Sequence, residues 1–156
     1  MTEIVWNKEM IHLTIPGDPV GKARSRHTRY GVFTPTKTVN YETLIRELFA
    51  IHYPNHQPII GPVWMKVVAY MRIPSSKSKK LKTEMREGRV FPTVRPDADN
   101  VLKVFADALN GLAYMDDKQI ISVTVDKRYS DTQRAEVVVR WVENDERTEG
   151  TVEGDY

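Results

Sequence analysis

Between Arg95 and Ile120 the chain reads RPDADNVLKVFADALNGLAYMDDKQI, and this stretch decides both the fold class and the chemistry. Val101, Leu102, Phe105, Ala108, Leu109 and Leu112 recur at three- and four-residue spacing, which predicts a helix over Asn100–Leu109 with one apolar face. Asp99 or Asn100 is placed to cap its start, and Asn110-Gly111 is a good C-terminal stop. Pro96 disfavours helical backbone at Arg95, so the approach to the helix is extended. In extended chain, residues two apart share a side, which puts Asp97 and Asp99 together. Lys103 stands four residues from both Asp99 and Asp107, so a polar stripe can run Asp99–Lys103–Asp107. Asp116-Asp117 then precede a strand that starts at Ile120.

Working outward, Ile120–Lys127 alternates with Ile121, Val123 and Val125 on one side, and Ala135–Val142 with Ala135, Val137, Val139 and Trp141. Val63–Met71 shows the same period, with Val63, Met65, Val67, Ala69 and Met71 on one face. Ile11–Ile15 is a shorter strand closed by Pro16-Gly17-Asp18-Pro19. Gly21–Lys37 carries five Lys or Arg and no acid, interleaved with Tyr30, Gly31 and Phe33, and reads as a hairpin or extended loop. A helix follows from Pro35 and Thr36 or Thr38, with Tyr41, Leu44, Ile45, Leu48 and Phe49 inward and Pro54 ending it. Ser75–Arg89, with six Lys or Arg and two Glu, fits a short surface helix ending near Gly88 or a mobile loop. The order predicts an α+β fold: a small mixed or antiparallel sheet with two main helices on one face.

The chain has 156 residues, 40% of them hydrophobic and 28% charged, which suits one soluble globular domain. No apolar run nears the roughly 18 residues of a membrane span, and no secretory core opens the chain. There are no cysteines, which excludes disulfides, thiolate zinc sites and cysteine nucleophiles and fits a reducing compartment. The expected location is cytoplasmic. The net charge of +2 conceals a division: residues 143–156 hold six acids and one base, leaving 22 Lys and Arg against 15 Asp and Glu over 1–142, a net of +7. The organisation expected is an N-terminal extension over 1–10, a basic domain over 11–142 and an acidic, disordered tail over 143–156.

Clustered carboxylates repel one another, and a hard divalent ion such as Mg²⁺ relieves that repulsion while keeping waters for a substrate phosphate. Such an ion activates water and stabilises the leaving oxygen in phosphodiester hydrolysis, and a nearby lysine offsets charge developing on the phosphate. The same residues also admit a plain reading, in which Asp97 and Asp99 belong to a turn and cap, Lys103 pairs along a solvated face, and Asp116-Asp117 make a turn. His52 and His56, four apart, are interrupted by Pro54 and expected to be structural. No phosphate-binding glycine loop, dinucleotide fingerprint or nucleophile elbow is present.

Arg95-Pro96-Asp97-Ala98-Asp99-Asn100, Leu102-Lys103, Asp107-Ala108-Leu109-Asn110-Gly111 and Asp116-Asp117-Lys118-Gln119-Ile120 closely resemble the RusA family of Holliday junction resolvases, a family of bacteria, prophages and phages. Pro16–Glu42 resembles the family's opening block through Gly17, Pro19, Lys22, Arg24, Arg26, Thr34-Pro35 and Tyr41-Glu42. The likeness runs from Ile11 to Val142. It implies a homodimeric endonuclease using Mg²⁺, with Mn²⁺ as a substitute, that nicks two opposing strands of a four-way DNA junction symmetrically during recombination and repair. The family's catalytic, metal-binding acids fall on Asp97, Asp99 and Asp117, with Asp116 the alternative to Asp117, and its essential lysine falls on Lys103. Asp107 belongs to the motif in a structural role. Ser75–Val94 departs from the shortest members. Lys22, Arg24, Arg26 and Arg29 are then the first candidates for phosphate contact, and Lys77, Lys79, Lys80 and Lys82 the second. Tyr30 and Phe33 either stack on bases at the crossover or pack on the sheet. The competing readings are a non-catalytic module for branched or single-stranded DNA, and a broader fork or flap nuclease.

Overall fold

Alternating strands and two periodic helices assemble as their patterns require in the computed structural model, which describes residues 3–142; the acidic tail lies outside the described residues. In chain order the elements are β1 (Ile11–Pro16), β2 (Arg26–Thr28), β3 (Gly31–Phe33), α1 (Thr36–His52), β4 (Val63–Arg72), α2 (Lys79–Arg86), α3 (Ala98–Leu109), a single 3₁₀ turn (Asp117–Gln119), β5 (Ile120–Ser130) and β6 (Arg134–Trp141). The main sheet runs β1-β6-β4-β5, with β2 and β3 forming a separate hairpin. β6 pairs antiparallel with β1 and β4, while β5 lies parallel to β4, so the sheet is mixed.

One face of the sheet is apolar because period two puts Ile11, Leu13 and Ile15, Val63, Met65, Val67 and Ala69, and Ala135, Val137 and Val139 on the same side, all buried. Onto it pack Tyr41, Ile45 and Phe49 of α1 and Val101, Val104, Phe105, Ala108 and Leu109 of α3. The Tyr41 and Phe105 rings meet edge to face at 6.1 Å. Ahead of β1, Trp6 packs edge-on against Trp64 at 4.6 Å, and Asn7 donates to the Trp141 carbonyl. No helix among the described residues is long and apolar enough to cross a membrane.

Two details depart from the sequence reading. The Ile121–Val123–Val125 side of β5 is not a buried face, since Ile121 is 60% and Val123 44% exposed. β5 is an edge strand, and Val63 pairs with Ile120 while Trp64 pairs with Ser122, so Ile121 is an extra residue squeezed out of the ladder. The second departure is the start of α3, which begins at Ala98 with Asp97, rather than Asp99 or Asn100, as N-cap. Of the two readings open for Ser75–Arg89, the short helix ending near Gly88 is the one that forms. Ser78 caps α2 by accepting from Leu81 N–H, Met85 is buried, and Gly88, at φ +73, closes the helix.

Candidate active site

Where the N-terminus of α3 meets the chain leaving β1, a cleft of about 1610 Å³ opens. The junction is close. Gly21 lies so near α3 that a Cβ on it would come within 2.9 Å of Pro96 Cβ and 3.0 Å of Asn100 Cβ, and the adjacent Lys22 N–H donates to the Asn100 carbonyl at 2.8 Å. Only glycine permits this approach, and it brings the basic stretch against the acidic one.

Asp97 and Asp99 both line the cleft. Asp97 occupies the N-cap position, yet its carboxylate makes no capping hydrogen bond, and Asp99 sits in the first helical turn. Asp97 is therefore not committed to the capping role that the plain reading gave it, whereas Asp99 sits where the helix dipole favours an acid. Arg24, Arg26, Lys37, Arg72, Lys77 and Arg95 line the same cleft, so carboxylates and cations share one concavity. Sequence reasoning picked out Arg24, Arg26 and Lys77; Lys37, Arg72 and Arg95 were missed as cleft residues. Arg72 ends β4, a strand that otherwise signals only core, and pairs at 3.2 Å with Asp18, which follows β1 and lines the same cleft.

Lys22, first among the expected phosphate contacts, is spoken for inside the protein. Its ammonium bridges Glu42 at 2.5 Å and Asp107 at 3.2 Å. Burial opposes the charge, but the hydrogen bonds and attraction from Glu42 and Asp107 prevail and raise its pKa above the ordinary lysine value. Glu42 is buried and has Arg46 3.9 Å away on the next turn. Asp107 uses its other oxygen for Lys103, at 3.0 Å. A continuous ionic chain, Glu42–Lys22–Asp107–Lys103, thus joins α1, the basic stretch and α3. Of the stripe expected along α3, the Lys103–Asp107 half forms; among the described ion pairs none joins Asp99 to Lys103.

Asp116 and Asp117 lie past the other end of α3. Asp116 is fully engaged: its carboxylate accepts from Lys118 N–H at 2.9 Å, and Gln119 returns a bond to Asp116 N–H at 2.8 Å, a reciprocal capping box. The Lys118 N–H bond, outweighing slight burial and aided by the Asp117 side chain and the Lys118 charge, holds the Asp116 pKa below the usual carboxylate range. Asp117, Asp107 and Asp116 surround Tyr114, whose hydroxyl donates to the Ala106 carbonyl at 2.8 Å; burial first, and then these three charges, push its pKa upward.

Asp97, Asp99 and Asp117 do not come together as one group. Among the described residues no cluster of three or more His, Cys, Asp or Glu is arranged to hold a metal ion. Asp97 stands at the N-cap of α3, whereas Asp117 follows the turn at Gly111–Tyr114 and stands with Asp107 near Tyr114, whose hydroxyl reaches Ala106 in the C-terminal half of α3. The donor chemistry nonetheless suits a hard cation, because Mg²⁺ is commonly held by one or two carboxylates, with water and substrate phosphate filling the remaining positions. The Asp97–Asp99 pair meets that requirement.

The hairpin of β2 and β3 projects its aromatics into solvent, Tyr30 being 76% and Phe33 53% exposed, so neither packs on the sheet. The Arg29 guanidinium lies 4.7 Å from the Tyr30 ring centroid and also donates to the Tyr30 hydroxyl. Lys79 and Lys80 stand exposed on α2, and Lys82 is half-buried. His56 hydrogen-bonds with the Ala113 carbonyl and packs against Phe49 and Trp141.

The fold is thus a mixed α+β sheet, with two carboxylates at the N-terminus of α3 in a cation-lined cleft. Residues 16–140 match the family model described as endodeoxyribonuclease RusA, and the chain belongs to that family. It is also similar to the uncharacterized protein YqaN of Bacillus subtilis (strain 168), with 36% identity over 140 residues that cover 86% of this chain and 98% of YqaN.

Proposed function

We propose that this chain is a divalent-metal-dependent endonuclease that resolves four-way DNA junctions by symmetric paired nicks, working as a homodimer on DNA in the bacterial cytoplasm. The observation that carries the reading is the state of Asp97 and Asp99: two carboxylates at a helix N-terminus, without a capping bond from Asp97, in a cleft lined by Arg24, Arg26, Arg72 and Arg95. Acids serving only as caps would be turned inward on the helix, as Asp116 is on its own turn. The arginines neutralise phosphates along a bound strand, and each neutralised phosphate adds about 0.9 to the steepness of the salt dependence.

Asp97 and Asp99 would hold the ion, Mg²⁺ or Mn²⁺; Asp117, the third acid that the family likeness implies, is not grouped with them. When bound, such an ion polarises the scissile phosphate and lowers the pKa of attacking water. Lys103, oriented by its ion pair with Asp107, would balance the charge that builds on the phosphate. Lys22 belongs to the frame behind Asp107 rather than to the phosphate-binding set. A junction offers two scissile phosphates related by two-fold symmetry and each chain has one such cleft, which a two-fold dimer matches.

The absence of a three-acid group among the described residues favours a second reading, a module that binds branched DNA without cutting it. A labelled four-way junction incubated with the protein in Mg²⁺ or in EDTA separates the two. Paired nicks that need the metal, and that Asp99→Asn abolishes while junction binding persists, support the endonuclease. Tight binding with no nicks in Mg²⁺ or Mn²⁺ establishes the module. Equal cutting of forks and flaps would widen the substrate class.

A further inference from the structure

Residues 88–94 join α2 to the turn before α3, and Val90, Phe91, Thr93 and Val94 line the cleft that holds Asp97 and Asp99. Phe91 is 53% exposed. The more conspicuous hairpin aromatics, Tyr30 and Phe33, are not among the residues lining this cleft. Two aromatic rings line this cleft, Phe91 and Tyr129, and Phe91 is the exposed one, Tyr129 being half-buried on β5.

That ring is held in place. The Arg128 guanidinium lies 5.8 Å from its centroid, and the neighbouring Lys127 ammonium donates to the Val94 carbonyl. Upstream, Arg86 pairs with Asp131 at 2.7 Å and Met85 is buried. All three anchoring partners belong to β5 or the turn after it, so Phe91 is presented by the sheet and not by a free loop. Arg72, Lys77 and Arg95 share the cleft and supply positive charge for the phosphates of a strand whose bases must point somewhere. A phenyl face is a sequence-tolerant platform for an unstacked base, and bases at a branch point are the ones most cheaply unstacked.

We propose that Phe91 is a nucleobase subsite: it stacks on an unpaired base beside the strand to be cut and so fixes that strand's register against Asp97 and Asp99. This rests on the DNA reading above and adds to it the element that recognises the branch. The test uses the full chain, in EDTA so that no strand is cut, and four-way junctions carrying 5-iodouracil at successive positions around the branch point. Long-wavelength irradiation should cross-link one position to the peptide containing Phe91. Phe91→Leu, which keeps the apolar bulk, and Phe91→Ala should lose the cross-link and weaken junction binding by roughly 5- to 150-fold, the range expected for one stacked base. Phe91→Trp should bind within twofold of the parent. Cross-links confined to Tyr30 or Phe33, or a Phe91→Leu protein that binds within twofold, overturn the subsite while leaving the endonuclease reading intact. A parent protein that binds no junction overturns both.

Discussion

The two acidic pairs at the ends of α3 look alike in sequence and are opposite in condition. Asp116 is bound into its own turn by two reciprocal hydrogen bonds, and its charge is stabilised there. Asp97 sits at an equivalent capping position with no capping bond and opens, with Asp99, onto a cleft rich in arginine. A carboxylate that satisfies a helix end is structural; one that passes over that bond and remains in a concave, cationic place is available to a ligand. The difference is also instructive about Asp116-Asp117. Asp116 holds the cap and the Asp117 side chain supports its charge, so that pair is bound up with its turn in a way that Asp97 and Asp99 are not.

The comparison breaks most decisively through activity. Asp99→Asn should reduce metal-dependent nicking by at least about 10²–10³-fold, with thermal stability unchanged, because an amide can take the same place on the helix but is a poor ligand for a hard cation. Steady-state nicking of a labelled junction together with a melting curve checks it. A variant that still nicks normally would place the available carboxylates elsewhere.

Next in size is the ionic chain that braces α3 between the two pairs. Lys22→Met leaves Glu42 buried with only the distant Arg46, and frees Asp107 on one side. Loss of these charged hydrogen bonds should cost about 1.5–3 kcal/mol in urea unfolding. The pH dependence has a definite sign. A lysine whose pKa is raised on folding contributes stability that is complete below the ordinary lysine value and disappears as pH climbs through the raised one. The gap between parent and variant should therefore be constant from pH 7 to 9 and close only in strong alkali. A gap that shrinks near neutrality would assign the effect to another group.

These two predictions also mark what was legible in the chain. β1, β4, β6, α1 and α3 follow from local periodicity, and each turns the residues its period selects toward the core, with Leu44, Leu48, Leu102 and Trp141 only partly buried. The bulge at Ile121 was invisible because it is a property of the register with β4, not of β5 alone. The acids of the candidate site could be picked out by spacing. Their division into engaged and available pairs could not, since it depends on which carboxylate accepts which N–H. Lys22 was misjudged for a related reason. Its partners Glu42 and Asp107 are 20 and 85 residues away, and a lysine in a run of cations looks solvent-facing until folding brings acids to it. α2 stayed ambiguous because one buried residue, Met85, anchors it.

Smaller again is the contact that joins the basic stretch to the available pair. Gly21→Ala would push a methyl group into Pro96 Cβ and Asn100 Cβ, atoms bound to backbone that cannot swing aside. The chain must retreat and the Lys22 N–H bond to Asn100 must lengthen, at about 1–3 kcal/mol as for other overpacked positions. Junction affinity should fall along with stability, and Gly61→Ala, where no atom lies within 4 Å of the added carbon, should change neither. If the two variants melt and bind alike, the close approach is not what docks the arginines beside the acids.

The smallest effect belongs to the engaged pair. Asp116→Ala removes the acceptor for Lys118 N–H and unties the capping box, so Tm should drop slightly while nicking persists. The sign with pH is the reverse of that for Lys22. A carboxyl whose pKa falls on folding stabilises above the ordinary aspartate value, and its contribution disappears as pH drops through the lowered one. The Tm difference between parent and Asp116→Ala should thus be full at pH 7 and vanish in acid. If nicking collapsed with Asp116→Ala while Asp117→Ala remained active, the roles of the two neighbours would be exchanged, and a capping bond would no longer distinguish a structural acid from a chemical one.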